Sequence, residues 1–237
     1  MQVKTKAIVI SALKYQEKSL IVKCFTQSQG LKTYFVRDAF SSRKSNQKIA
    51  YFQPLTILEI EAVHKNKGSL ENFKEIKIAM PFQTIHSDIF KRTIVMFISE
   101  IVHHSIHEEE KNEHLFTFLE TALFWLDNHD ETANFHLILM LEMTKYLGFY
   151  PDVSEIKFPF FDANEGVFTP FHGLGSLSEH ETNLFKKLIG LKFDNDQKTF
   201  HVIERQIVLK ILIDYYAFHL EGFRKPKSLE VLKEIFS

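Results

Sequence analysis

The chain has one cysteine, Cys24, in 237 residues. A single thiol excludes an internal disulfide and any zinc site built from several cysteines. No apolar run approaches the ~18 residues of a membrane span. The opening MQVKTKAIVI lacks the apolar core and small-residue exit of a secretory signal. A soluble, cytoplasmic protein is expected. Catalytic signatures are missing too. Neither GxGxxG nor GxxxxGK[ST] occurs to cradle a phosphate, and no G-x-S-x-G elbow presents a serine. There is no internal repeat and no low-complexity linker.

What is present is a large apolar content, 45%, with 24 phenylalanines, enough for a packed core. The net charge of −1 conceals an uneven distribution. Residues 1–80 carry 14 Lys and Arg against 6 Asp and Glu, a net +8, and residues 81–237 carry −9. Such asymmetry predicts two domains with different partners, the basic one suited to a polyanion.

The most informative stretch runs from Tyr15 to Ser45. Two apolar runs, Leu20–Phe25 and Leu31–Val36, meet at Gln27-Ser28-Gln29-Gly30, where Gly30 supplies a turn. Alternation along the second run places Lys32 and Tyr34 on one face, and Phe35 and Arg37 on the other. With β-branched Lys4–Leu13 before them, and Phe52–Val63 and Leu70–Ile78 after, five strands fit within about 80 residues. That pattern suits a small barrel such as the OB-fold, and an SH3-like barrel fits it as well. From Ser87 the period becomes helical: Phe90, Ile94, Phe97, Ile98, Ile101 and Val102 form one stripe. Helices are predicted at Leu115–Leu126 and at Phe135–Leu147, the latter stopped by Gly148 and Pro151. Another follows the Ser178/Glu181 capping box, a long one covers Phe200–Leu220, and a short one begins at Pro226 and Ser228. Between them, Val153–Gly175 loses periodicity. The predicted class is α+β and multidomain: residues 1–80 form a five-stranded barrel, and residues 81–237 a helical domain with an irregular excursion at about 153–175.

Candidates for chemistry are few. Cys24 lies within an apolar strand and reads as a small buried hydrophobe. His103 and His107 are four apart, a metal-compatible spacing, but HHSIHEEEKNEH at a polar helix end reads as solvated surface. Binding is better supported, because single-strand binders combine a cationic groove with aromatic platforms. The basic candidates are Lys6, Lys14, Lys18, Lys23, Lys32, Arg37, Arg43, Lys44 and Lys48. The aromatic ones are Tyr15, Tyr34, Phe40 and Tyr51.

These residues carry a resemblance. Tyr15-x-Glu17-x-Ser19-Leu20-Ile21, Phe25-Thr26, Gly30, Arg43-Lys44-Ser45 and Phe52-Gln53-Pro54-Leu55 resemble bacterial RecO. So do Tyr146-Leu147-Gly148-Phe149-Tyr150-Pro151-Asp152 and the segment Tyr215-Tyr216-x-Phe218-His219-Leu220-x-Gly222-Phe223 leading to Lys227-Ser228-Leu229. The resemblance implies an N-terminal OB-fold, a helical C-terminal domain, and recombination mediation without bond chemistry or cofactor. It implies binding of single- and double-stranded DNA, strand annealing, and action with RecR to help load RecA onto strands coated by single-strand binding protein. The acidic C-terminal tail of that protein would dock on the helical domain, for which Arg205, Ile207, Lys210 and Ile211 are the candidates. A nucleoid-associated place in the cytoplasm follows from the same resemblance. One departure concerns zinc: many members carry four cysteines after the Gly-Tyr-Pro-like segment, and this chain has none there. No zinc site is therefore expected, and packing of Phe158, Phe160, Phe161 and Phe168 is expected in its place. The rival reading is a protein–protein adaptor whose basic barrel binds an acidic partner.

Overall fold

A computed structural model describes residues 1–40, 49–65, 70–106, 111–194 and 199–236. The chain divides into two compact units, Met1–Asn128 and His129–Ser237.

The first unit is built on β1 (Gln2–Tyr15), whose centre Ala7-Ile8-Val9-Ile10 is buried on both faces. Its early half pairs antiparallel with β4 (Ile57–Val63), from Gln2 opposite Val63 to Ile8 opposite Ile57. Its later half pairs with β2 (Ser19–Thr26), from Ala7 opposite Thr26 to Tyr15 opposite Ser19. A register shift between Val9 and Ser11 bends the strand, as bulges do, so that one long strand serves two neighbours. With β3 (Gly30–Val36) on β2 and β5 (Asn72–Ile78) on β4, the order is β3-β2-β1-β4-β5. The outer strands then meet. Tyr34 and Glu71 form a parallel bridge, in which the Phe35 amide donates to the Glu71 carbonyl at 2.9 Å and the Glu71 amide to the Thr33 carbonyl at 2.8 Å. Joining the edges at one short bridge gives the partly open five-stranded barrel of an OB-fold.

The interior is filled by alternate residues: Ala7 and Val9, Leu20, Val22 and Cys24, Tyr34, and Leu58, Ile60 and Ala62. The fourth strand starts later than Phe52. Ala50–Phe52 is a 3-10 turn, Pro54 has no amide for a ladder, and Leu55 adopts φ 59°. Phe52 and Leu55 are buried instead, at 4% and 1% exposure.

Two helices belong to this unit. Helix α1 (Ile89–Ser105) packs on β1 and starts at Asp88, whose carboxylate accepts from the Lys91 amide at 2.9 Å. Ile94, Phe97, Ile98, Ile101 and Val102 are buried as the stripe predicts, while Phe90 is exposed. Helix α2 (Glu113–Asn128) buries Leu115, Phe116, Leu119, Leu123 and Leu126, and Phe116 meets Phe25 on the outer side of β2 at 5.8 Å. Asp127 anchors the crossing from sheet to helices. Its carboxylate accepts from the backbone amides of Gln83, Thr84 and Ile85 at 2.8–3.1 Å and from the Thr84 hydroxyl at 3.1 Å. Pro81 marks where strand gives way to helix, whereas the compact unit continues to Asn128.

In the second unit α3 (Phe135–Leu147) is buried nearly all round and stops at Gly148, which takes φ 86° and donates to the Thr144 carbonyl. Helix α4 (Glu179–Ile189) carries the predicted capping box of Ser178 and Glu181. Helices α5 (Val202–His219) and α6 (Leu229–Ile235) follow. The aperiodic segment contains a small antiparallel ribbon, β6 (Phe160–Asp162) with β7 (Val167–Thr169). Phe161 and Phe168 are buried and pack on each other at 5.0 Å, and Phe161 lies 4.8 Å from Phe185 of α4 and 5.8 Å from Tyr215 of α5. Phe158 and Phe160 are only half-buried and stay outside that cluster. No helix among the described residues is long and apolar enough to cross a membrane.

Candidate nucleic-acid interface

One end of the barrel gathers cations and rings at the surface. The turn from β1 to β2 carries Lys14, Tyr15 and Lys18, all exposed, with Gln16 at φ 54° shaping it. The turn leaving β3 carries Arg37, Asp38 at φ 53°, and Phe40. The Phe40 amide donates to the Lys18 carbonyl at 3.3 Å, tying the two turns together. The Lys14 ammonium then lies 5.5 Å from the centre of the Phe40 ring, and Tyr15 meets Phe35 edge-on at 6.1 Å. Three cations and three partly exposed rings thus share one surface, along with the acids Glu17 and Asp38. In OB-folds this kind of place, the face of strands 2 and 3 with the loop between strands 1 and 2, holds oligonucleotides.

The other predicted residues lie elsewhere. Lys6 sits on the outer side of β1 and pairs with Glu120 of α2 at 2.6 Å, so its charge is already matched. Lys23 is half-buried on the outer side of β2, and burial pulls its ammonium below the ordinary pKa. Lys32 and Tyr34 do share a face, but it is the inner one. Tyr34 is fully buried, stacked at 4.0 Å on Phe73, with its hydroxyl 2.8 Å from Nε2 of His64. His64 is 1% exposed and bonds Gln29 through Nδ1. Burial drives the Tyr34 phenol far above its usual pKa, with Cys24 and Glu71 adding to the shift, so it stays protonated. Tyr34 and Lys32, the latter 7% exposed, are therefore corrected from surface ligands to core residues. Alternation reveals two faces and does not say which is inside. Arg43, Lys44 and Lys48 lie outside the described residues. Phe35 was missed as a candidate, although its shared face with Arg37 was the available signal.

In the second unit a groove of about 500 Å³ runs between α5 and α6. Ile203, Ile207 and Ile213 supply its apolar wall, and Lys210, Lys225 and Lys233 also line it. Lys210 pairs with Asp214 at 2.8 Å and Lys233 with Glu230 at 3.1 Å, both at exposed sites. Two of the four tail candidates are not there. Ile211 is buried at 4% exposure. Arg205 turns the other way and donates to the carbonyls of Phe200 at 2.8 Å and Phe236 at 3.4 Å, clasping the end of the chain. Beside it His136 is buried, and desolvation with the neighbouring guanidinium pushes its pKa down to about 3, so it is neutral.

His103 stacks edge-on against His104 at 5.1 Å, and His107 lies outside the described residues. Among the described residues no three His, Cys, Asp or Glu gather as a metal would require.

Comparison with known proteins agrees with this architecture. Residues 1–82 match the family model "Recombination protein O N terminal", and residues 86–230 match "Recombination protein O C terminal". The DNA repair protein RecO of Flavobacterium psychrophilum is 77% identical over 238 residues, covering all of both chains. The RecO proteins of Flavobacterium johnsoniae and Christiangramia forsetii are 76% and 44% identical, again over the full length of each chain. This chain therefore belongs to the RecO family of DNA repair proteins.

Proposed function

We propose that the protein mediates recombination by holding DNA on its N-terminal domain, residues 1–80, and protein partners on its helical part. Single and double strands would bind across the β1–β2 turn and the end of β3. Complementary strands held there would anneal, and with RecR the complex would help load RecA onto strands coated by single-strand binding protein. The reaction needs no bond chemistry, so the protein acts as a mediator and not an enzyme. The carrying observation is the cluster of Lys14, Lys18 and Arg37 with Tyr15, Phe35 and Phe40, within a segment of net charge +8. Cations neutralise phosphates, and rings stack on unpaired bases without regard to sequence.

The acidic, apolar-ended tail of single-strand binding protein would occupy the α5–α6 groove. Its terminal apolar side chain would lie on Ile203 and Ile207, and its carboxylates would pair with Lys225, and with Lys210 and Lys233 in exchange for their exposed partners Asp214 and Glu230. Family membership supports a DNA repair role, and the cellular place that follows is the cytoplasm, near the nucleoid.

The test is titration of a labelled oligonucleotide at two salt concentrations. Affinity should fall steeply with salt, with a log–log slope of about −0.7 per neutralised phosphate on single strands. Failure to bind single or double strands at low salt would discard the reading and favour an adaptor with an acidic protein partner.

A further inference from the structure

We infer that the gap between β3 and β5 seats one unpaired nucleobase of a bound single strand. The inference rests on the DNA-binding reading and adds the place where a base would go. Beyond the Tyr34–Glu71 bridge the two strands part. β3 pairs only with β2, and β5 only with β4, so among the described residues no ladder joins their facing edges past that point. The cleft between them measures about 430 Å³, inside the ~300–1,000 Å³ range of small-ligand sites. Half-buried Phe35 and Tyr51 line it, together with exposed Arg37 and Lys74. Phe73 also lines it and is braced by Tyr34 at 4.0 Å and by Phe52 at 5.9 Å.

Three features select a base. The rings of Phe35 and Tyr51 are only partly covered and offer π-surface, which every base can use. Arg37 places positive charge beside those rings, where a flanking phosphate would run, whereas the Lys74 ammonium is turned across β4 to the Gln2 side chain at 2.7 Å. The one acid in the lining, Glu75, is paired with Lys77 at 2.9 Å. The parted strand edges carry amides and carbonyls that can meet the polar edge of a base. An extended peptide would use those edges too, but it would need neither the rings nor the cation. Phe35 also touches Tyr15 edge-on, so the cleft adjoins the exposed cationic cluster, and a strand crossing that cluster passes its mouth.

The experiment compares a labelled thymidine strand with an abasic strand of equal phosphate number, using the full-length protein. The wild-type protein should bind the thymidine strand about ten-fold more tightly, the scale of one base stacked on a ring. Tyr51→Ala and Tyr51→Leu should each cut that preference to below about three-fold and leave affinity for the abasic strand unchanged. Tyr51→Leu keeps an apolar side chain in place, so it serves if Tyr51→Ala does not fold. Wild-type preference in both folded variants overturns the inference and leaves the cleft to an extended peptide added on the β5 edge. Wild-type protein indifferent to missing bases overturns the cleft alone and leaves DNA binding intact. No binding to either strand overturns the DNA reading itself.

Discussion

At the scale of single residues, partners decide what a charge can do. Lys6 and Arg37 are both basic residues of the barrel, yet Lys6 is matched by Glu120 at 2.6 Å and Arg37 is exposed at the clustered end. Arg37→Ala should therefore reduce the salt slope of single-strand binding by about 0.7, and Lys6→Ala should leave it nearly unchanged. The Lys6–Glu120 pair itself is part-exposed and worth only a few tenths of a kcal/mol, so Lys6→Ala should barely move the denaturation midpoint. Asp127 is the opposite case. Burial raises its pKa, but the amides of Gln83, Thr84 and Ile85 and the Thr84 hydroxyl more than offset that and hold it below the ordinary carboxylate value. A depressed folded pKa means that the stabilisation is complete above the unfolded value, about 4, and is lost as pH falls through the folded value. Asp127→Ala should cost about 2 kcal/mol in urea unfolding at neutral pH, since it strips an acceptor from the buried Ile85 amide and from part-buried donors of Gln83 and Thr84. Asp127→Asn should cost less and flatten the loss of stability on acidification below about pH 5. An equal acid limb in both proteins would show that other carboxylates dominate it.

At the scale of elements, the β6–β7 ribbon shows how a short aperiodic segment is held. Two three-residue strands are too short to stand alone in water. Phe161 and Phe168 anchor them on α4 and α5, the Tyr215 hydroxyl donates to the Phe149 carbonyl at 2.8 Å, and the His219 ring nitrogen lies 2.9 Å from the Ala163 carbonyl. Gly166 completes the turn at φ 71°, and a Cβ there would lie 2.9 Å from the Tyr215 hydroxyl. Phe161→Ala should destabilise the protein by about 3–5 kcal/mol, as other fully buried Phe→Ala changes do, measured by denaturant midpoint. If aromatic packing does the work of a metal, a chelator should leave the melting temperature unchanged. Elemental analysis of untagged protein should then find well under one zinc per chain. A tightly held stoichiometric zinc would contradict this account and return attention to His103 and His107.

At the scale of the whole molecule, the division of charge suggests a division of labour. The −9 of residues 81–237 disfavours DNA there, while local lysines still frame an apolar groove on α5 and α6. Lys210→Glu combined with Lys233→Glu should weaken a labelled acidic tail peptide several-fold, since each exposed ion pair is worth about 0.2–1 kcal/mol and the reversed charges repel the peptide. Oligonucleotide affinity should be unchanged in that variant. Arg205→Glu should act differently. It breaks the clasp on Phe236 and turns a carboxylate toward the Phe200 and Phe236 carbonyls where a guanidinium had donated, so it should lower thermal stability. Parallel loss of peptide and oligonucleotide binding in the lysine variant would refute the separation.

Features that depend on neighbours within a few residues were legible before any fold was known. The β-branched run of β1, the helical stripe of α1, the Ser178–Glu181 box and the Gly148 stop are all local, because backbone propensity and capping act over one turn or one strand. Composition determined the charge asymmetry and the want of cysteine ligands. Features that depend on distant partners came only with the folded chain. Which face of β3 is inside follows from its place in a ring whose strands lie up to sixty residues apart, and that buried Lys32 and Tyr34. Helix α2, more than one hundred residues from Lys6, took its charge. The clasp of Arg205 on Phe236 and the grip of Asp127 on three amides join segments 31 and over 40 residues apart. The cleft between β3 and β5 exists only because two strands joined at one bridge then diverge. Local propensity carries no term for such closures, so the candidate site was legible as a cluster of residue types, and its membership was set by the fold.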